Sequence, residues 1–391
     1  MTTTDHSQAT LVADDPQVQA GGGSSSRADR ATSYDPAIFP VPTGREEDWR
    51  FTPIEALDKF FEESFTGDAV TISATGAELE QVPMDDPRLG QLAAPGDRVA
   101  ALSWRNAKRA HVLTVSGEEP SEAIITATGT GGEDVTPLVF HIRAEENSSG
   151  TVVLNHVGAG RVAEGVEIDV ADGAHLTFVT VQDWDDEAQH LSANRLRLGK
   201  DATLRHIVVT LGGKIVRVTT DSEYAGTGGD LELLGAYFTD SGQHQEHRLF
   251  VDHTPPNCRS NATYKGALQG ESAHSVWVGD VLIRPTAEGT DTYELNRNLV
   301  LTLGAMADSV PNLEIETGEI EGAGHASATG RFDDEQLFYL RARGIPEDVA
   351  RRLVVRGFFA ELINQIGVES VQNKLMEAIE EELDQTMKVA S

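Results

Sequence analysis

Histidines and one cysteine are the residues of this chain whose types and spacing invite metal chemistry. His244, His247, His253 and Cys258 fall within fifteen residues, and imidazole nitrogen and thiolate sulfur are donors that zinc and iron favour. In an extended strand, however, successive side chains point to opposite faces, so positions 244 and 247 diverge unless a bulge intervenes. That leaves Cys258 and His253 as weak metal candidates beside the plainer reading of surface and turn histidines. His325 stands apart from these. Gly322-Ala323-Gly324 before it and small residues after it let another surface come close. Its imidazole can bind a metal or move a proton, a reading that chemistry alone weighs level with a hydrogen-bonded histidine at a domain junction.

Context disfavours other chemistries. Asp185-Asp186-Glu187 and Asp333-Asp334-Glu335 could supply paired carboxylates for glycoside hydrolysis, but adjacent acids in a turn or at a helix start are normally solvated or capping. Gly158-Ala159-Gly160 follows a strand as a dinucleotide fingerprint does, yet Val166, Ile168 and Val170 alternate where a helix should open, so a β-turn is expected. Gly212-Gly213-Lys214 lacks the first glycine and the hydroxyl of a phosphate loop, and no nucleophile elbow supports serine catalysis.

Charge narrows the field further. The 391 residues carry 63 acidic against 31 basic side chains, a formal charge of −32, so the chain repels nucleic-acid phosphates and anionic lipid. A single cysteine forms no intramolecular disulfide, no basic and apolar leader opens the chain, and no apolar run approaches the roughly 18–20 residues that cross a bilayer. The composition reads as that of a soluble, cytosolic protein.

The elements that must position these residues fall into four stretches. Residues 1–34 are rich in Thr, Ser, Ala and Gly and are expected to be a flexible tail. Residues 35–110 read as a mixed, partly helical subdomain in which Ile54, Leu57, Phe60 and Phe61 follow helical spacing. Residues 111–328 contain many short strands between Gly and Asp corners. The turn Asp172-Gly-Ala-His-Leu176 is echoed by Lys200-Asp-Ala-Thr-Leu204, each with a small residue two places before an apolar strand start. Sandwich, barrel and stacked β-helix all suit evenly spaced strands, and the repetition favours the β-helix. Residues 329–391 turn helical, with Asp333 and Asp334 as caps, Gly344 and Gly367 as stops, and an apolar stripe of Val371, Leu375, Ile379 and Leu383.

Several segments resemble one family. Arg45-Glu-Glu-Asp-Trp-Arg-Phe-Thr52, Ser260-Asn-Ala-Thr-Tyr264-Lys265-Gly266, Asn296-Arg-Asn-Leu-Val-Leu301, Pro311-Asn-Leu-Glu-Ile315 and above all His325 to Gly344 are similar to the SufB/SufD scaffolds of the Suf iron–sulfur cluster assembly system. The resemblance implies a mainly β fold: a right-handed parallel β-helix core flanked by N-terminal mixed and C-terminal helical subdomains. Because a thiol that SufB-like chains carry near the end of the β-helix is missing, it points to the SufD-like branch. It further implies a non-catalytic subunit that pairs with a SufB-like paralogue and a SufC-like ATPase, a homodimer also being open. No cofactor would be held stably by this chain alone, and iron or a cluster would sit transiently at the shared interface, where His325 contributes. One cysteine cannot supply the mostly thiolate set a cluster takes, which agrees with a shared site. The ATPase would dock at Arg356, Gly357, Phe358, Phe359 and Glu361 where these face outward, the alternative being that the same residues pack in the core. Two other classes stay open: a SufB-like scaffold holding a cluster through Cys258 and nearby histidines, and a stand-alone β-helix enzyme acting on polysaccharide.

Overall fold

The computed structural model describes residues 29–332 and 334–389. Most of them form a parallel β-solenoid with two principal faces. After β1 (Val70–Thr75), β2 (Glu80–Pro83), the helix α1 (Arg98–Asn106) and β3 (Arg109–Val115), the long strands β4 (Ser121–Ala144) and β5 (Ser149–Val170) run along both faces. One face then stacks β6 (His175–Trp184), β8 (Thr203–Thr210), β10 (Asp230–Thr239), β12 (Arg259–Leu268), β14 (Asp291–Val300) and β16 (Gly322–Arg331). The other stacks β7 (Gln189–Leu198), β9 (Ile215–Tyr224), β11 (His244–His253), β13 (His274–Ile283) and β15 (Met306–Ile315). The parallel β-helix implied by the resemblance is therefore present. The repeated turns mark it, since His175 pairs with Thr203, the residues that follow their corners one rung apart.

Side-chain alternation builds two layers of packing from each strand. Inward residues such as Phe178, Leu204, Leu233 and Trp277 form the solenoid core. Outward residues of β6, β8 and β10, among them Val179, Ile207, Leu234 and Phe238, pack beneath two helices. These are α3 (Glu347–Ile366) and α4 (Glu369–Val389), preceded by α2 (Asp334–Ala342). Strands covered on both sides lose the simple polar alternation, which is why they read as near-continuous apolar runs. Gly344 and Gly367 end α2 and α3 with φ of +83° and +70°, the left-handed geometry that a glycine stop supplies. Val371, Leu375 and Ile379 are buried on the solenoid. The capping expected of Asp333 and the fourth stripe side chain, Leu383, lie outside the described residues and side chains.

Three details depart from the sequence reading. Gly158 and Gly160 lie inside β5, with φ of +81° and +140°, so this stretch is a corner within a continuous strand. A Cβ at Gly158 would strike the Gly129 carbonyl one rung below. The helical spacing at 54–61 is realised as two tight 3-10 turns, Ile54–Ala56 and Asp58–Phe61, that sink Leu57 and Phe60 into a core with Trp49. The tail expected over 1–34 lies outside the described residues as far as 28, but the boundary at 34 is too late. Arg30 already ion-pairs with Asp221 at 2.7 Å, and Tyr34 meets the Trp104 ring edge-on at 5.3 Å.

Candidate functional site at the open end of the solenoid

His325 is the last member of a column that runs the length of the solenoid. Val152, Phe178, His206, Leu233, Ala262, Glu294 and His325 are successive register partners on neighbouring rungs. The parity of the strands fixes its direction. Thr292, Glu294, Asn296 and Asn298 on β14 are buried and alternate with Tyr293, Leu295 and Arg297. His325 shares register with Glu294, while Gly324 lies against the outward Tyr293 ring. Among the described residues no further rung covers it, so His325 is exposed at the mouth of the column.

Glu294 lies one rung beneath, about 4.8 Å away along the stack by the strand spacing. It is 2% exposed, and neither carboxyl oxygen has a hydrogen-bond partner among the described residues. Gly279 on the opposite face makes room for it, since a Cβ there would collide with Glu294 Oε1 and the Trp277 ring. Burial, with the Asp280 carboxylate adding to it, pushes the Glu294 carboxyl up to about 8. The indole Nε1 of Trp277 and the Ser309 hydroxyl are likewise buried without partners among the described residues. The final turns thus enclose polar groups without partners among the described residues, and one of them, Glu294, lies directly under an exposed imidazole. Buried polar groups are normally paired, so this cluster beneath an exposed imidazole makes the end of the solenoid a candidate site.

The same end exposes strand edges. Among the described strands β15 pairs only with β13, and β16 only with β14, leaving one side of each open. Tyr293, Leu303, Met306 and Ile315 are exposed on these last rungs, Leu303 by 81%. An open edge flanked by apolar side chains is a ready template for another chain.

The weak metal candidates fare differently. Cys258 is buried in a corner, its Sγ 3.4 Å from the Gly226 carbonyl, and burial raises its thiol above the ordinary range, which disfavours the ligating thiolate. His253 is buried inward, 2.9 Å from Ser260 Oγ and stacked on Tyr224; burial lowers it to about 4. His244 and His247 do point to opposite sides: His244 reaches Glu246 on the outer face, and His247 Nε2 meets Thr210 Oγ1 at 2.9 Å inside.

Among the described residues the one cluster of three ligand-type side chains is His156, Glu164 and His190, wholly inside the first turns. Its hydrogen bonds argue against an ion. The Trp184 indole only donates, and it reaches His190 Nδ1 at 3.1 Å, so the His190 proton must sit on Nε2 and face Glu164. His156 is fixed between two acceptors, the Val181 carbonyl at 3.1 Å and Glu164 Oε2 at 2.8 Å. A buried imidazole–carboxylate network occupies these residues: Glu164 is held by His156 and by the Ser192 hydroxyl, while His190 Nε2 stands 3.5 Å from Glu164 Oε1 without a hydrogen bond among the described residues.

On the C-terminal helices the expected docking residues split. Phe359 is fully buried in the core beneath α3, so it cannot present its ring to a partner, and that expectation is corrected. Phe358 is half-buried, 5.7 Å from Lys265 Nζ. Arg356 and Gly357 are exposed, and a Cβ on Gly357 would meet nothing within 4 Å. Glu361 is exposed but held by Lys265 at 3.0 Å. Val349 and Leu353 on α3 and Phe338 and Tyr339 on α2 add an exposed apolar surface that the sequence reading had not singled out. Glu294, Gly279 and Trp277 were missed as well. Glu294 lies one rung before His325 by strand register, which the varying rung length keeps out of the sequence.

Comparison with known proteins bears on this arrangement. The family model for the SufBD core domain of SUF-system FeS cluster assembly matches residues 127–358. An iron-sulfur cluster assembly SufBD family protein of Mycobacterium tuberculosis is 54% identical over 368 residues, covering 90% of this chain and 92% of its own. Another, of Mycobacterium leprae, is 52% identical over 363 residues, covering 90% and 93%. The iron-sulfur cluster assembly protein SufD of Escherichia coli is 25% identical over 380 residues, covering 88% and 89%. No helix among the described residues is long and apolar enough to cross a membrane. The matched span runs from the first long strands into α3 and takes in both Glu294 and His325, and the chain belongs to the SufBD family of iron–sulfur cluster assembly proteins.

Proposed function

We propose that the chain is a SufD-like, non-catalytic scaffold subunit that works in the cytoplasm beside a SufB-like paralogue and a SufC-like ATPase. Iron, or a cluster under construction, is its cargo at an interface formed on the open edge of β15 and β16. The observation that carries this reading is the exposed His325 at the mouth of the column, above Glu294 and flanked by unpaired strand edges. An imidazole there can ligate iron while thiolates come from the partner, because the single cysteine of this chain is buried elsewhere. The α2–α3 surface around Val349, Leu353, Arg356, Gly357 and Phe358 would receive the ATPase. The test is to purify the full chain from cells with its partners and compare it with His325→Ala. Co-purification of an ATPase and a cysteine-bearing paralogue, with both still bound by the variant but cluster output reduced, is the expected result. Unchanged cluster maturation by the variant refutes the role of His325, and failure to recover either partner refutes the assembly.

A further inference from the structure

A second pair of imidazoles converges on the outer side of the opposite face. His244 on β11 and His274 on β13 are register partners, and their Nδ1 atoms lie 3.2 Å apart. The far nitrogen of each ring meets a carboxylate: His244 Nε2 lies 3.2 Å from Glu246 Oε2, and His274 Nε2 lies 2.8 Å from Asp308 Oδ2. Glu246 is an acceptor, because Arg248 Nη1 and Arg217 Nε lie 3.1 and 3.4 Å from Oε1 and the Thr52 hydroxyl donates to Oε2 at 2.7 Å. Each imidazole therefore places its proton on Nε2, toward its carboxylate. With both rings neutral there is no second proton, and two Nδ1 lone pairs face each other across that gap.

Two facing lone pairs repel unless a cation lies between them. Ligands about 2.0–2.1 Å from a tetrahedral ion stand about 3.3 Å apart, close to the separation observed. A carboxylate on the remote nitrogen is also the usual support of a metal-bound histidine, fixing its tautomer and orientation. We propose that His244 and His274 bind a divalent first-row transition-metal ion through Nδ1, with Glu246 and Asp308 as the groups that hold the rings. Imidazole pairs suit such ions, whose affinities rise along the series from manganese to copper. The ion reaches the site from solvent, since His274 and Asp308 are partly exposed at 19% and 33% of their side chains and Met306, next in register, is exposed. Among the described residues no third His, Cys, Asp or Glu atom completes a cluster there. Water fills the remaining positions, and the site is open where a structural zinc site is closed. It is separate from His325, which belongs to β16 on the other face.

The test uses the full, tag-free chain stripped with a chelator and titrated with Co²⁺, read by visible absorbance and by calorimetry. One equivalent is expected to bind to the wild type and to His325→Ala alike. His274→Ala should remove that binding, and Asp308→Asn, on the partly exposed side, should weaken it about 10–100-fold with the circular-dichroism spectrum and melting curve unchanged. Failure of the wild type to bind a stoichiometric ion overturns the assignment, as does equal binding by wild type, His244→Ala and His274→Ala. Should the histidine variants unfold, undiminished affinity in the folded Asp308→Asn chain also overturns it.

Discussion

Glu294 sits directly beneath His325, one rung down in the same inward column, buried and without a partner among the described residues where the histidine is exposed. The relationship has a consequence for stability. A carboxyl raised from its ordinary 4.5 to about 8 binds its proton more tightly folded than unfolded. Between those values the folded chain holds the extra proton, so this group's contribution is complete below about pH 4.5 and is lost as pH rises through 8. Glu294→Gln should match the wild type near pH 5 and exceed it at pH 9 by a few kcal/mol, on the order of 1.4 kcal/mol for each tenfold difference in proton affinity. Chemical denaturation at the two pH values reads this directly. Parallel stability curves would show that the carboxyl ionises in the fold without penalty.

Phe358 and Phe359 are neighbours in sequence and opposites in role. Phe359 is enclosed by the outer faces of β6, β8 and β10, so Phe359→Ala should cost about 3–5 kcal/mol, as large core truncations do. Phe358→Ala should cost much less, because its ring is half-buried. Thermal unfolding of the two variants separates them, and equal losses would mean that Phe358 also packs in the core.

The sequence carried the solenoid in its corners and their recurrence, but not the columns. The stacked corners at Asp172 and Lys200 are separated by 28 positions, and the stacked Arg259 and Asp291 by 32. Rungs therefore lengthen along the chain, and no fixed period places Glu294 under His325. Helix phase was hidden for a different reason. Apolar residues wrap α3, with Val349 and Leu353 exposed while Val355 and Phe359 are buried, so the buried side is set by the strands beneath. The His244–His274 pair was invisible because its members lie on different strands, 30 residues apart. The opposed directions of His244 and His247, by contrast, follow from alternation alone and are observed.

The segment Tyr264-Lys265-Gly266 shows what a short motif can mean physically. Tyr264 pairs in register with Gly235 and Gly266 with Tyr237, and each ring lies over the other rung's glycine. A Cβ at either glycine would enter the ring opposite. The Tyr237 hydroxyl also donates to Asn298 Oδ1 at 2.6 Å and accepts from Asn296 Nδ2 at 2.9 Å, so its ring has little freedom to retreat. Gly266→Ala should therefore destabilise by about 1–3 kcal/mol, the usual cost of overpacking. A denaturation midpoint equal to the wild type would mean that the ring moves at no cost.

Between those two glycine-facing positions, Lys265 points outward and anchors α3. Its ammonium lies 3.2 Å from the Phe358 carbonyl and 3.0 Å from Glu361 Oε2, and the residue is only 4% exposed. The two partners contribute unequally. Glu361 is exposed to water, and although the hydrogen bond from Lys265 holds its carboxyl below the ordinary range, solvent screens the pair. The carbonyl belongs to Phe358, which is half-buried where Glu361 is exposed. Lys265→Met keeps the aliphatic stem and removes the charge, and should weaken α3 docking by about 1.5–3 kcal/mol, the worth of a charged hydrogen bond. Glu361→Gln should change it little. Amide hydrogen exchange along residues 355–366 distinguishes the two, with faster exchange expected for Lys265→Met alone. Equal acceleration by both variants would place the anchor in the ion pair instead of the carbonyl.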